Sequence, residues 1–347
     1  MGADPETDGQ VSAERSDVRP EVRGDMSIVV GTLNRATLLE RALRSLMAQR
    51  HPGLLEIIVV DNGSTDDTRE VVSRLAGTAA GAHLRYVLEP RLGLSIARNT
   101  GIALATGPIV AFLDDDSEAD PDWASRLLGI FHGDPGVGAA GGKTLVRWPD
   151  VKPPWVAASI EGYYGRCDYG DDRKRLTFPQ YPFGSNMAIT RPLLVEIGGF
   201  RTDLGARGSN MMAGEETDLF ERLHARAVVV VYEPSALVHH WAAPERLTRW
   251  WTLRRAFKHG LSTAVMAFVN LQRPRRASAG GFLKAARRSA VGAVSTLLAC
   301  LGASDPATIM SRGIYTAYWM GFARGVFPHA LFGQKSGVTD PASPPIG

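Results

Sequence analysis

The stretch IVAFLDDDSEADPDW (109–123) sets an apolar run directly against three carboxylates, Asp114, Asp115 and Asp116. Adjacent carboxylates repel one another, so three at one strand end call for a neutralising partner. Two carboxylates one residue apart form a donor set for a hard divalent cation, Mn2+ or Mg2+, that also holds a diphosphate. Such an ion cancels their repulsion and offsets phosphate charge. The plainer reading is a solvated turn that caps the next helix. Asp120 as N-cap, with Pro121 at the first helical position, already supplies that cap.

Other polar residues follow apolar runs in the same way. Asp61, in VVDNGSTDDT (59–68), can accept from a base NH or a ribose hydroxyl, although Asn62-Gly63 is also an ordinary turn. Thr32 and Asn34 in TLNR are open to the same two readings, ligand contact or helix cap. In EPRLGLSIARNTGI (89–102), Arg91 and Arg98 can meet phosphate and Gly93 permits close backbone approach. A surface position for Arg98 and an internal hydrogen bond for Asn99 are the alternatives. Glu215, Glu216 and Asp218 open a helix in AGEETDLFERL (213–223), where a carboxylate can deprotonate a hydroxyl or simply complement the helix dipole. His239-His240 can supply a metal ligand or a phosphate contact. The stretch 246–260 interleaves Arg246, Arg249, Arg254, Arg255 and Lys258 with Trp250, Trp251 and Phe257, which suits a phosphate or membrane-surface role.

The elements that would position these residues alternate. Short apolar runs at 27–31, 56–61, 84–89, 109–114 and 137–142 read as buried strands. Amphipathic spacing at 35–50, 94–106 and 120–131 reads as helix. Strand and helix in alternation, with uniformly apolar strands, predict an α/β fold with a mostly parallel sheet flanked by helices. Ligands bind such sheets at the carboxyl ends of the strands, where the polar motifs lie. From 143 the pattern turns loop-rich and aromatic, and after His240 it becomes helical and basic. The expected organisation is a disordered leader (1–25), a first half (26–142), a second half (143–245), a helical C-terminal extension (246–332) and a flexible tail (333–347).

The 347 residues carry a net charge of only +3, which argues against nucleic-acid binding driven by bulk charge. Cys167 and Cys300 make no metal spacing and no disulfide framework. The polar leader is not a signal peptide, and no apolar run is long enough to span a membrane. The expected location is cytoplasmic, with peripheral contact at the inner face of the membrane through the C-terminal helices left open.

Together the segments VVGTLNRATLLERALRSL, EIIVVDNGSTDDT, GLSIARNTGIALATG, IVAFLDDDSEADPDW, GSNMAITR, GGF, GEETDLFERL and VHH resemble, in order, a family-2 glycosyltransferase of the GT-A type, with its Rossmann-like sheet. The resemblance implies a nucleotide-diphosphosugar donor (UDP by default), a hydroxyl acceptor on a glycan, lipid-linked glycan or small natural product, a divalent cation, and inversion at the anomeric carbon. Thr32, Arg35 and Asp61 would hold base and ribose, with Asn34, Arg91, Arg98 and Asn99 on the same rim. Asp114 to Asp116 stand at the family's Asp-x-Asp motif: Asp114 would face the ribose, Asp116 the metal, and Asp115 has no fixed task. His240 would sit near the metal and diphosphate. Glu216 stands where the family usually has Asp and would be the general base, with Glu215 and Asp218 as alternatives. The first loop also lacks the family's usual proline. Aromatics between Trp155 and Phe183 would wall the acceptor site. A sugar-nucleotide nucleotidyltransferase would need a Gly-rich basic loop after the first strand, which GTLNRATLL lacks. A non-catalytic binder on the same scaffold would not need carboxylates at both the metal and the base positions.

Overall fold

The β-branched runs form strands and the amphipathic stretches between them form helices, as their periodicity requires. A computed structural model describes residues 25–51, 53, 55–77, 82–208, 212–269, 279–302 and 304–332. The expected leader, Asp25 apart, and the expected tail lie outside these residues.

The chain runs β1 (Met26–Thr32), α1 (Ala36–Met47), β2 (Leu55–Asp61), α2 (Thr68–Ala76), β3 (Ala82–Leu88), α3 (Leu94–Leu104), β4 (Ile109–Phe112) and β5 (Ser117–Ala119). It continues through α4 (Trp123–Gly133), β6 (Val137–Arg147), β7 (Lys174–Leu176), β8 (Met187–Thr190), α5 (Arg191–Glu196), α6 (Glu215–Ala225) and β9 (Val229–Trp241). The strands form one sheet in the order β3-β2-β1-β4-β8-β6-β9-β5, with β7 also on β9. β3, β2, β1 and β4 are parallel. From β4 onward the sheet is mixed: β8 is antiparallel to both β4 and β6, and β6 is parallel to β9. β1 has β2 on one side and β4 on the other, so the connections diverge at their carboxyl ends. That divergence opens a crevice, the usual ligand site of an open α/β sheet.

Alternate residues of β1 feed two cores. Ile28 and Val30 pack with Leu39 and Leu43 of α1, Val72 of α2 and Leu127 of α4. Val29 packs with Ala97 of α3, Leu194 of α5 and Leu219 of α6 on the opposite face. Coverage on both faces is why these strands read as uniformly apolar. Leu39 and Leu43 are fully buried, and truncating either to Ala costs about 2–5 kcal/mol.

Three local expectations are corrected. The helix after the acidic run begins at Trp123 with Asp122 as N-cap, not at Asp120. The Trp123 amide donates to the Asp120 carbonyl at 2.9 Å, which makes 120–122 a turn before the helix, and Arg50 holds the Asp122 carboxylate outward in two hydrogen bonds of 2.8 Å. His239 and His240 do not follow the last strand but lie inside it, because β9 runs on to Trp241. The aromatics of the middle segment are mainly packing residues. Trp155 and Tyr164 are buried in a third core, and Tyr169, Phe178 and Tyr181 pack against the second.

The C-terminal extension forms α7 (Arg249–Val269), α8 (Ala279–Leu301) and α9 (Pro306–Phe332). α9 packs against both α7 and α8. Glycines let α7 and α9 touch: a Cβ at Gly260 would lie 1.9 Å from the Tyr318 carbonyl oxygen, and one at Gly321 1.8 Å from that of Phe257. Trp155, Ile160 and Tyr164 join Ala256, Met310 and Ile314 in the third core, which fixes the helices to the sheet domain. Tyr164 Oη and Thr252 Oγ1 add a buried hydrogen bond of 2.5 Å. Among the described residues no helix is long and apolar enough to cross a membrane.

Candidate active site

Parallel register sets the first residues of the site. Thr32 pairs with Asp61 at the ends of β1 and β2, and β4 on the other side of β1 delivers the acidic run. Thr32 Oγ1 donates to Asp115 Oδ2 at 2.8 Å. Arg35, at the N-cap of α1, donates to Asp115 Oδ1 at 2.8 Å and to Asp116 Oδ2 at 3.2 Å. The acids then lead straight into β5, which is antiparallel to β9 with Ser117 opposite His240. That register brings His240 Nε2 to 3.2 Å from Asp116 Oδ1. Arg246 Nη2 completes the surround at 3.0 Å from Asp116 Oδ2.

The two buried neighbours divide the charge. Burial pushes the Asp115 carboxyl up to about 6, with Arg35 pulling against it and Asp116 adding to it. Burial acts on Asp116 in the same sense, but His240, Arg246 and Arg35 outweigh it and hold Asp116 below the usual carboxylate range. Burial opposes charge on His240, yet its contact with Asp116 raises the imidazole pKa. Asp115 thereby has a definite place: it ties the end of β1 to Arg35.

Arg98 links the acidic run to the start of α6. Its side chain is 3 % exposed and lies under the Phe200 ring at 5.3 Å. Nη2 donates to Asp114 Oδ1 at 3.0 Å, and Nη1 to Glu215 Oε1 and Glu216 Oε1, each at 3.2 Å. Arg98 is no surface residue: one guanidinium bridges three carboxylates from two distant segments. Burial works against its charge, and Asp114, Glu216 and Glu215 more than restore it. Burial first, then Glu215, pushes the Glu216 carboxyl up to about 7, with Arg98 acting against the shift. The side chain of Glu216 is 22 % exposed against 8 % for Glu215, so Glu216 is the more accessible of the pair. Gly184 allows this approach. A Cβ there would lie 2.0 Å from Glu216 Oε1 and 2.3 Å from Arg98 Nη2. Asp218 is buried one turn along, held by Arg201 at 3.4 Å and Arg222 at 2.8 Å, and does not join the cluster.

Asp61 accepts from Tyr86 Oη at 2.7 Å and from the Ser64 amide at 2.8 Å, at the edge of the same crevice. Asn34, with φ of 54°, accepts from the Thr65 amide at 2.7 Å and clips the first loop to the second. Neither Thr32 nor Asn34 caps α1; the Ala36 amide donates to Asp66 instead, at 2.9 Å. Arg91 is not brought to the cluster, because Glu89 holds its guanidinium at the exposed rim in two bonds of 2.8 Å. Asn99 bonds the Phe200 carbonyl and amide, both at 2.8 Å, which fixes α3 to the Phe200 turn. The sequence marks Arg246 and Arg255 only as members of a basic stretch. In the fold Arg246 meets Asp116, and half-buried Arg255 faces Glu215, Arg246 and Glu216. Burial lowers the pKa of Arg255, with the attraction of Glu215 opposing it.

Asp114, Asp116 and His240 each present a ligand atom within 4.8 Å of the others. The ligands of one octahedral ion sit about 2.1 Å from it, hence within about 4.2 Å of one another, so small side-chain rotations close the set. Two carboxylate oxygens and one imidazole suit Mn2+ or Mg2+. The geometry groups Asp114 with Asp116 and His240, where the resemblance had set Asp114 against a ribose.

Residues 27–197 match the family model for glycosyl transferase family 2. The chain is 30% identical over 245 residues to the succinoglycan biosynthesis protein ExoM of Rhizobium meliloti, spanning 68% of this chain and 72% of that protein. It is 29% identical over 244 residues to the glucosyl-dolichyl phosphate glucuronosyltransferase of Haloferax volcanii, spanning 70% of this chain and 77% of that protein. Its fold is similar to that of the mannosyltransferase PcManGT from Pyrobaculum calidifontis in complex with GDP-Man and Mn2+. The TM-score is 0.53 at 23% identity, over 90% of this chain and 77% of the other. The chain belongs to glycosyl transferase family 2 and is a glycosyltransferase of the GT-A fold.

Proposed function

We propose that this enzyme transfers a sugar, with inversion, from a nucleotide diphosphate sugar to a hydroxyl of a glycan or lipid-linked acceptor, assisted by a divalent cation. The observation that carries the reading is the Arg98 bridge, which sets Glu216 beside the Asp114, Asp116 and His240 group.

Thr32 and Asp61, at adjacent strand ends, receive the nucleoside, with Asn34 and Arg35 shaping the loop around it. Asp114, Asp116 and His240 would hold the cation, which when bound neutralises the diphosphate and eases its departure. Arg35 and Arg246 add fixed positive charge on the same side, aimed where negative charge develops. Glu216 takes the proton from the acceptor hydroxyl as that oxygen attacks the anomeric carbon from the face opposite the diphosphate. A carboxyl that titrates at about 7 is a competent base near neutral pH, and a positioned base contributes about 10²–10⁴ in rate. Arg98 hydrogen-bonds both Glu216 and Asp114, which supports a single displacement served by base and cation together.

The test has two arms. Turnover of UDP-, GDP- and thymidine-diphosphate sugars is followed with and without Mn2+, and Mn2+ binding is followed by electron paramagnetic resonance. The reading requires metal-dependent turnover of one donor class, with metal binding and turnover both lost in Asp116→Asn. Equal, metal-independent turnover in wild type and variant would sink it.

A further inference from the structure

α8 distributes its side chains opposite to a helix made for water. Its buried face is small, with Ala285, Gly292 and Ala299 turned inward. Its large apolar residues, Leu283, Val294, Leu297, Leu298 and Leu301, are 57% to 75% exposed. Their spacing makes one stripe along the helix. Arg287 stands within that stripe near its N-terminal end, and Lys284 and Arg288 flank it on the side of α9; the three line a shallow cavity of about 220 Å³ with Val291 and Tyr315. A neighbouring cavity of about 390 Å³ between α8 and α9 carries Arg312. α7, α8 and α9 contain no Asp or Glu.

We infer that the outer face of α8 docks on an anionic lipid bilayer. The leucines enter the boundary between headgroups and acyl chains, while Lys284, Arg287 and Arg288 meet anionic headgroups. Charge selects this occupant over a second copy. A second copy meeting this face through its own C-terminal helices would bring no acid to pair with Lys284, Arg287 and Arg288, whereas anionic headgroups can pair with all three. The inference is independent of the chemistry proposed for the active site, since no α8 residue belongs to it.

Co-sedimentation of the full chain with vesicles tests the docking. The vesicles are phosphatidylcholine alone or mixed with phosphatidylglycerol, at low and at physiological salt. Wild type is expected to bind the mixed vesicles, more weakly as salt rises. The double variant Leu297→Gln/Leu298→Gln and the triple variant Lys284→Glu/Arg287→Glu/Arg288→Glu should each lose about tenfold or more in binding. Circular dichroism and turnover of a soluble donor should stay unchanged in both. Three results would overturn the inference: no binding to mixed vesicles at low salt, equal binding to neutral ones, or unchanged binding by both variants. A dimer that the leucine variant dissociates, with no vesicle binding by wild type, would assign the face to a second copy and equally overturn it.

Discussion

Arg98 and Arg288 occupy opposite electrostatic settings. Arg98 is enclosed by the sheet domain and hydrogen-bonded to three carboxylates. Arg288 lies over the Trp319 ring at 4.3 Å, on helices that carry no acid at all. At the crevice rim, positive and negative side chains are nearly balanced and mostly buried, so each one fixes the position of the next. On the outer helices the charge is of one sign and sits beside exposed leucines. The first arrangement suits chemistry, because preorganised charge needs no rearrangement as the reaction proceeds. The second suits reversible attachment to a surface of opposite sign. Local pairing, more than the abundance of arginine, separates the two.

Disrupting the rim should have effects that the outer face cannot reproduce, and the largest is expected at Asp116. Asp116→Asn removes the carboxylate that Arg35, Arg246 and His240 surround. Turnover should fall by about 10³ or more, with Mn2+ binding lost in a titration. Glu216→Gln should lower kcat by about 10²–10⁴ with KM little changed, as steady-state kinetics will show. The wild-type pH profile sharpens this. A base must be ionised to act, so kcat/KM should rise with pH through about 7 and then level, and Glu216→Gln should lose that rise.

Gly184→Ala probes the same contact without touching a charge. Its Cβ would collide with Glu216 and Arg98 at 2.0 Å and 2.3 Å and push Glu216 out of line. A loss of about 10-fold to 10²-fold in kcat, with a near-native circular dichroism spectrum, is expected. The smallest effect belongs to the outer face. Leu298→Gln, at a side chain 59% exposed, should change unfolding free energy by less than about 0.5 kcal/mol in a denaturant titration.

Much of the rim is legible in the sequence, for a physical reason. β1, β2 and β4 are covered on both faces, so their apolar runs are unbroken and end abruptly in the polar residues that matter. The acidic run, Thr32 and Asp61 are therefore visible in one dimension, and the acids at the start of α6 by their place at the head of a helical pattern. The mutual contacts are not. Arg98 sits in a helix pattern that also fits a surface position, and only the packing of α3 against the start of α6 makes it a bridge. Asn99, one residue on, reads the same way and turns out to brace the Phe200 turn. His240 was visible as a residue, but its approach to Asp116 depends on β5, a three-residue strand too short to leave a periodic signal. Arg246 joins the site from beyond the segment that matches the family model, where sequence offers only a basic bias.

Glu216, held by Arg98 beside the Asp114, Asp116 and His240 group, is proposed as the base of a metal-assisted transfer. The most direct measurement is kcat/KM against pH, with Mn2+, for wild type and Glu216→Gln on the donor that turns over. A wild-type rise through about 7 that disappears in Glu216→Gln, with Mn2+ affinity retained, is the predicted result. The same rise and the same rate in both proteins would exclude Glu216 as the base.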